Sequence, residues 1–248
     1  MYNFFDYYTE LPANVAMPNF GIAHICSIIF IAVLILVSLK LLRKLNNKKQ
    51  QLIIKICAIL VPILEISHNI WLYICADAKI EQLLSLHLCG LQMYFIPLAV
   101  FTKFVIFKDF TFATSILGGI FAIIFPSGIT DTYPLWHFQT LQTFAYHALL
   151  IFVPLAILIT TDYRPTIKRF HKVLALFFII TLVAFIVDTL YNQNYLFLII
   201  APDFLHNMQL TLGTGPYLLF TFFVVLISSV LLHLPFDIKS NMENKESS

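Results

Sequence analysis

The sequence predicts an all-α, polytopic membrane bundle of about seven transmembrane helices, with the N-terminus outside and the C-terminus inside. Three observations predict it. Hydrophobic residues make up 60% of the chain and charged residues only 11%, with a mean hydropathy of +0.87, whereas soluble domains carry about 25% charged residues. The apolar residues gather into runs close to the roughly 20 residues needed to cross a bilayer. Lys and Arg collect in alternate loops, as the positive-inside rule requires.

Taken in order, the runs are 22–42, 53–75, 86–107, a short one at 110–125, then 137–161, 173–191 and 217–234. Between the last two lies an apolar but broken stretch, 195–215, with Pro202, Asp203 and the run Gly213-Thr214-Gly215-Pro216. It is too interrupted for a span and reads as an interfacial or re-entrant loop. Residues 1–236 form one integral membrane domain, and 237–248 a polar cytoplasmic tail.

Orientation follows from the loops. Lys40, Arg43, Lys44, Lys48 and Lys49 follow the first span, with Lys55 just beyond. Lys103 and Lys108 follow the third, and Arg164, Lys168, Arg169 and Lys172 the fifth. Lys79 is the one basic residue in the alternate loops. The first run is preceded by acidic Asp6 and Glu10 rather than a basic region, so it reads as a retained signal anchor. The chain carries no glycine-rich phosphate loop and no zinc-type cysteine pair. Cys26, Cys57, Cys75 and Cys89 are scattered, which argues against a disulfide framework.

Several ionisable groups lie inside these runs, where each costs roughly 3 kcal/mol on insertion scales. At about 1.5 Å per helical residue, Glu65, His68 and Asn69 fall in the outer half of the second span. Cys89 lies near the outer end of the third, above Gln92. His147 falls near the midplane of the fifth, below Gln142 and Thr143, and Asp188 near the outer end of the sixth. The polar groups thus converge on the outer half of the bundle and leave the inner half apolar. Glu65, His68 and Asn69 share a helix face, as do Cys89 with Gln92, and Thr140 and Thr143 with His147. Cys26 and Cys57 read as packing residues, and Trp71, Trp136 and Tyr133 as an interfacial belt. Cys89 is open between packing, reactivity and a disulfide to Cys75. The same residues suit a proton-coupled carrier in which Glu65 and Asp188 titrate, or a non-catalytic receptor or scaffold.

The stretch Leu86-His87-Leu88-Cys89 resembles the Leu-His-Leu-Cys element of YwaF-type bacterial membrane proteins, a family that includes the eukaryotic transmembrane protein 164. Glu65, the loop Phe125-Pro126 to Pro134, His147, Asn194-Tyr195-Leu196-Phe197 and Gly215-Pro216-Tyr217 follow in the same order, so the resemblance runs from Glu65 to Tyr217. The segment between Asn194 and Pro216 is more apolar than the family pattern. The resemblance implies a lipid acyltransferase or lipid ester hydrolase near the outer leaflet, with Cys89 and His147 as the active pair. Glu65 or His68 would orient the imidazole. His68, Asn69, Gln92, Gln142 and Thr143 would line the substrate site. Membrane lipids are the expected partners, with no nucleic acid, protein partner, cofactor or metal. The expected location is a bacterial cell membrane.

Overall fold

The computed structural model describes residues 2–12, 14–126 and 128–246. Among them the chain forms α1 (Ile22–Arg43), α2 (Asn47–Cys75), α3 (Gln92–Phe101), α4 (Val105–Ile124), α5 (Phe138–Thr160), α6 (Phe170–Tyr191), α7 (Asp203–Leu212) and α8 (Thr214–Glu246). No strand occurs among the described residues. Six stretches are long and apolar enough to cross a membrane: α1, α2, α4, α5, α6 with the turn before it, and the Thr214–Phe236 part of α8.

Helix boundaries follow the first, fifth and sixth apolar runs closely, α2, α4 and α8 extend beyond theirs, and the third run departs most. There the helix is confined to ten residues, and residues 83–91 approach it as a succession of turns. The broken stretch before α8 contains the short helix α7. The tail expected at 237–248 continues α8 as far as Glu246, and 247–248 lie outside the described residues. Residues 53–75 belong to a longer helix that starts at a capped Asn46, whose side chain accepts the Lys49 N–H at 3.0 Å.

α4 and α5 form the centre of the bundle. In each, 56% of the apolar window is buried, against 22% in α2 and 17% in α1, α6 and α8, whose remaining surfaces are left for lipid. Ala58, Val61, Ile96, Ala99, Ile116, Leu150, Val153 and Ala156 build the core where α2, α3, α4 and α5 meet. The α4–α5 contact is tightest at Gly119. A Cβ there would sit 2.8 Å from Ile151 Cγ1 and 2.9 Å from the His147 carbonyl oxygen. Small residues that let backbones approach are the usual means of packing helices in lipid.

The end of the bundle that holds the starts of α4 and α6, expected to be purely apolar, carries buried polar groups. α4 starts at Val105, so Asp109 lies inside the helix. It is buried and accepts two hydrogen bonds from Arg169, at 2.7 and 3.0 Å, and one from the Tyr163 hydroxyl at 2.8 Å. This fork ties the start of α4 to the start of α6. Burial, and then the neighbouring Asp109 charge, pushes the Tyr163 hydroxyl above its ordinary range. His233 is also buried there, packed edge-on against Phe112 and Phe170.

Gly119→Ala tests the α4–α5 contact. The gain in helix propensity, about 1 kcal/mol, is outweighed by overpacking of about 1–3 kcal/mol. A lower thermal midpoint in detergent is the expected outcome.

Candidate functional site

Residues 83–91 are the core of the site, and their shape is set locally. Ser85 has a positive φ of 50°, which turns the chain back toward Gly90. A Cβ on Gly90 would lie 2.7 Å from the Ser85 carbonyl oxygen, so only glycine fits there. α2 holds this turn from one side. Asn69 Nδ2 donates to the Leu83 carbonyl at 3.1 Å and to Ser85 Oγ at 3.0 Å. The Ser85 hydroxyl is directed toward the Glu65 carboxyl. Asn69 and Glu65 thus meet on the same turn.

Cys89 follows four residues later. Its carbonyl accepts twice, from the Gln92 N–H that opens α3 at 3.0 Å and from the Tyr146 hydroxyl of α5 at 2.8 Å. Its thiol packs on α4: a Cβ on Gly118 would lie 3.3 Å from Cys89 Sγ. The next residue, Gly119, carries the His147 backbone against it. Cys89 and His147 therefore meet the same two-glycine step of α4. The Glu65 carboxyl lies within electrostatic reach of both Cys89 and Tyr146. All four cysteines are free, so the Cys75–Cys89 bridge is not formed.

On α5, His147 Nδ1 lies 2.8 Å from the Thr143 carbonyl. A carbonyl only accepts, so Nδ1 carries the proton and the neutral ring leaves Nε2 as an acceptor. The ring stands at 90° to Tyr146 with centroids 5.4 Å apart. The contact that orients the imidazole is thus a backbone group one turn away, rather than Glu65. Among the described residues no hydrogen bond joins Cys89 Sγ to His147. Gln142 reaches across to α2 and donates to the Leu64 carbonyl at 3.0 Å. The Thr143 hydroxyl points toward Gln142 Oε1, at 3.5 Å.

His68 lies on the α2 side within electrostatic reach of His147 and facing the Gln139 side chain. His68 Nε2 and Gln139 Oε1 are both buried without a hydrogen-bond partner among the described residues. Trp71 stacks on His68 with centroids 6.1 Å apart. Beyond it the N-terminal segment closes this end of the bundle. Trp71 Nε1 donates to the Phe5 carbonyl at 2.8 Å, His137 Nε2 to the Asp6 carbonyl at 2.9 Å, and the Phe138 N–H to the Phe4 carbonyl at 3.0 Å. Trp71 and Tyr133, expected in an interfacial belt, are buried in this aromatic cap, whereas Trp136 is exposed.

Two residues fall elsewhere. Gln92 turns into the α3–α4 contact, donating to Thr114 Oγ1 at 2.9 Å and to the Leu88 carbonyl at 3.2 Å. Asp188 accepts the Tyr195 N–H at 2.8 Å. The Tyr195 hydroxyl then accepts from the Leu84 N–H at 3.2 Å and donates to the Glu81 carbonyl at 2.7 Å. Asp188 thereby anchors the loop that braces residues 81–84. Ser85, Gly118, Gly119 and Tyr146 are the site-forming residues that sequence reasoning missed. The polar signal was present at Ser85 alone, since glycine and tyrosine in an apolar run read as packing. Among the described residues no group of three or more His, Cys, Asp or Glu is arranged to hold a metal ion.

The family model described as the TMEM164 family matches residues 19–234. No curated protein and no solved structure gives a significant match. The family match and the six apolar helices together make the chain an integral membrane protein.

Gln139→Leu probes the unpaired oxygen. An orphaned buried acceptor costs about 1–3 kcal/mol, so the variant is expected to fold with an equal or higher thermal midpoint. A clear fall would mean that the amide makes a bond essential to the fold.

Proposed function

The chain belongs to the TMEM164 family, and on that premise we propose that it is a lipid acyltransferase or lipid ester hydrolase in which Cys89 is the nucleophile and His147 the general base. The observation that carries this reading is the two-glycine step of α4, against which the Cys89 thiol and the His147 backbone both pack. The tautomer of His147 supports it, because Nε2 is free to accept a proton.

In the first half-reaction His147 Nε2 takes the thiol proton and Cys89 Sγ attacks a lipid ester carbonyl. The C–O bond breaks, the alcohol leaves with the proton from the imidazolium, and an acyl thioester forms. In the second, the hydroxyl of a lysolipid, or water, attacks the thioester carbonyl and gives its proton to His147. The C–S bond breaks, and the thiolate recovers that proton. Glu65, which faces Ser85 of the turn that presents Cys89, sets the local field. His68, Asn69, Gln142 and Thr143 border the same space, and Gln92 fixes the start of α3. Membrane lipids are the substrates, and the setting is a bacterial cell membrane.

The proposed topology has seven crossings, the third made by residues 83–91 together with α3, with the N-terminus outside. It supports an outward-facing site, since residues 76–82 and the α4–α5 loop then lie on the same side as the N-terminal cap. A cysteine at Lys79 is expected to react with an impermeant maleimide in intact cells and one at Asn47 only after permeabilisation, both residues being exposed. The reverse pattern would overturn the orientation.

The chemistry is tested with vesicles containing a phospholipid with an alkyne-tagged acyl chain, followed by peptide mapping. A hydroxylamine-sensitive acyl group on Cys89 is expected, abolished by Cys89→Ser and reduced by about 10²–10⁴-fold in His147→Ala. An unacylated Cys89, or acylation indifferent to His147, would sink the pair. Proton-coupled flux lost with Glu65→Gln and Asp188→Asn but kept in Cys89→Ser would then favour a carrier.

A further inference from the structure

We infer that Tyr146 is the positioning residue of the site: its hydroxyl tethers the backbone of Cys89 to α5, and so sets where the thiol stands relative to the imidazole of the adjacent His147. The inference rests on the Cys89–His147 reading and deepens it.

The geometry is specific. Tyr146 is buried, and its hydroxyl donates to the Cys89 carbonyl at 2.8 Å across 57 residues of sequence. That carbonyl already accepts the first N–H of α3. Both of its lone pairs are therefore used, and its direction is fixed by two helices at once. On the other side the thiol rests on Gly118. Cys89 is held between a donor on α5 and a bare stretch of α4.

Tyr146 and His147 are consecutive, so any shift of α5 carries tether and base together. Their rings meet edge to face, which limits how far one turns without the other. The turn that carries Cys89 is not a regular helix: its own backbone bonds are few, Leu91 N–H to the His87 carbonyl at 2.9 Å and Gln92 N–H to the Cys89 carbonyl at 3.0 Å, and the Tyr146 hydroxyl is the bond that ties it to α5. Removing the tether frees the Cys89 carbonyl on one side while α3 still holds it on the other. The expected consequence is a displaced thiol in an otherwise folded bundle. A displacement of about 1 Å costs about 10²-fold when two groups must meet for a proton transfer.

The test is a double-mutant cycle read by a reaction that needs no knowledge of the lipid substrate. Full-length protein in vesicles is treated with N-hexadecylmaleimide, which alkylates thiolates, and the adduct at Cys89 is followed by peptide mass mapping across pH. Tyr146→Phe keeps the ring and deletes the hydroxyl. The alkylation rate is expected to fall by about 10–10²-fold, and its pH profile to lose the His147-dependent rise. In a His147→Ala background Tyr146→Phe should have no further effect. Additive losses would mean that the hydroxyl is merely structural and would overturn the inference, as would a Tyr146→Phe protein that alkylates like the parent while His147→Ala does not. An alkylation rate indifferent to His147→Ala in the parent would overturn the Cys89–His147 pair, and this inference with it. If Tyr146→Phe does not fold, Gly118→Ala, which presses on the thiol from the opposite side, takes its place in the cycle. The same non-additivity with His147→Ala supports the inference, and additivity overturns it.

Discussion

Irregular backbone in an apolar setting has to find its hydrogen-bond partners within the protein, because lipid offers none. Residues 83–91 are such a stretch, and the surrounding structure is arranged to satisfy them. Asn69 takes the Leu83 carbonyl, Tyr195 takes the Leu84 N–H, and Tyr146 takes the Cys89 carbonyl. These partners come from α2, from the loop after α6 and from α5. The positive φ of Ser85 and the bare backbone of Gly90 then let the turn fold on itself. Asp188, which at first sight is a buried acid without purpose, belongs to the same network. It holds Tyr195, and Tyr195 holds residues 81–84.

The central helices supply what the turn cannot. α4 offers two glycines in succession, and α5 packs its His147 backbone on the second of them. The orientation of His147 is then a property of α5 itself, since its partner is a carbonyl four residues earlier on the same helix. The Asp109–Arg169–Tyr163 fork holds the opposite end of α4 in register with α6. Two side chains drawn from different elements, as Cys89 and His147 are, need both kinds of restraint to hold a fixed arrangement: a local one that fixes each group and a distant one that fixes their spacing.

Most of the membrane architecture was legible in the sequence because crossing a bilayer demands length and apolarity, and both can be read directly from residues such as 22–42 and 137–161. The third apolar run was not. Leu84, Leu86, Leu88 and Leu91 satisfy a hydropathy reading whether they sit in a helix or in turns. Treating them as a helix put Cys89 more than one turn above His147. With turns before Gln92, the chain places Cys89 beside Gly118 and Tyr146. Glu65, His68, Asn69 and His147 stood out because charge and amide groups are costly in apolar runs, and they do line one region. Tyr146 and the two glycines carry no such mark, since their importance lies in a hydroxyl aimed at a backbone and in the absence of a side chain. Asp109 was hidden for a related reason: it sits at the edge of an apolar run, beside a lysine, where a solvated charge is the ordinary reading.

The N-terminal segment meets the bundle through the carbonyl oxygens of Phe4, Phe5 and Asp6, taken up by Phe138, Trp71 and His137. Every polar group it offers at these three places is main chain. At these three places hydrogen bonding to the bundle therefore sets no requirement on the strap's side chains, only on its length and path, and the strap's own side-chain bonds are internal, from Asn3 to the Asp6 carboxylate. The receiving side is different, because the indole of Trp71 and the imidazole of His137 are specific donors. Constraint on this closure is thus unequally shared. The strap is free to drift in sequence wherever its rings do not pack, while the two aromatic residues that grip it are held to their identities.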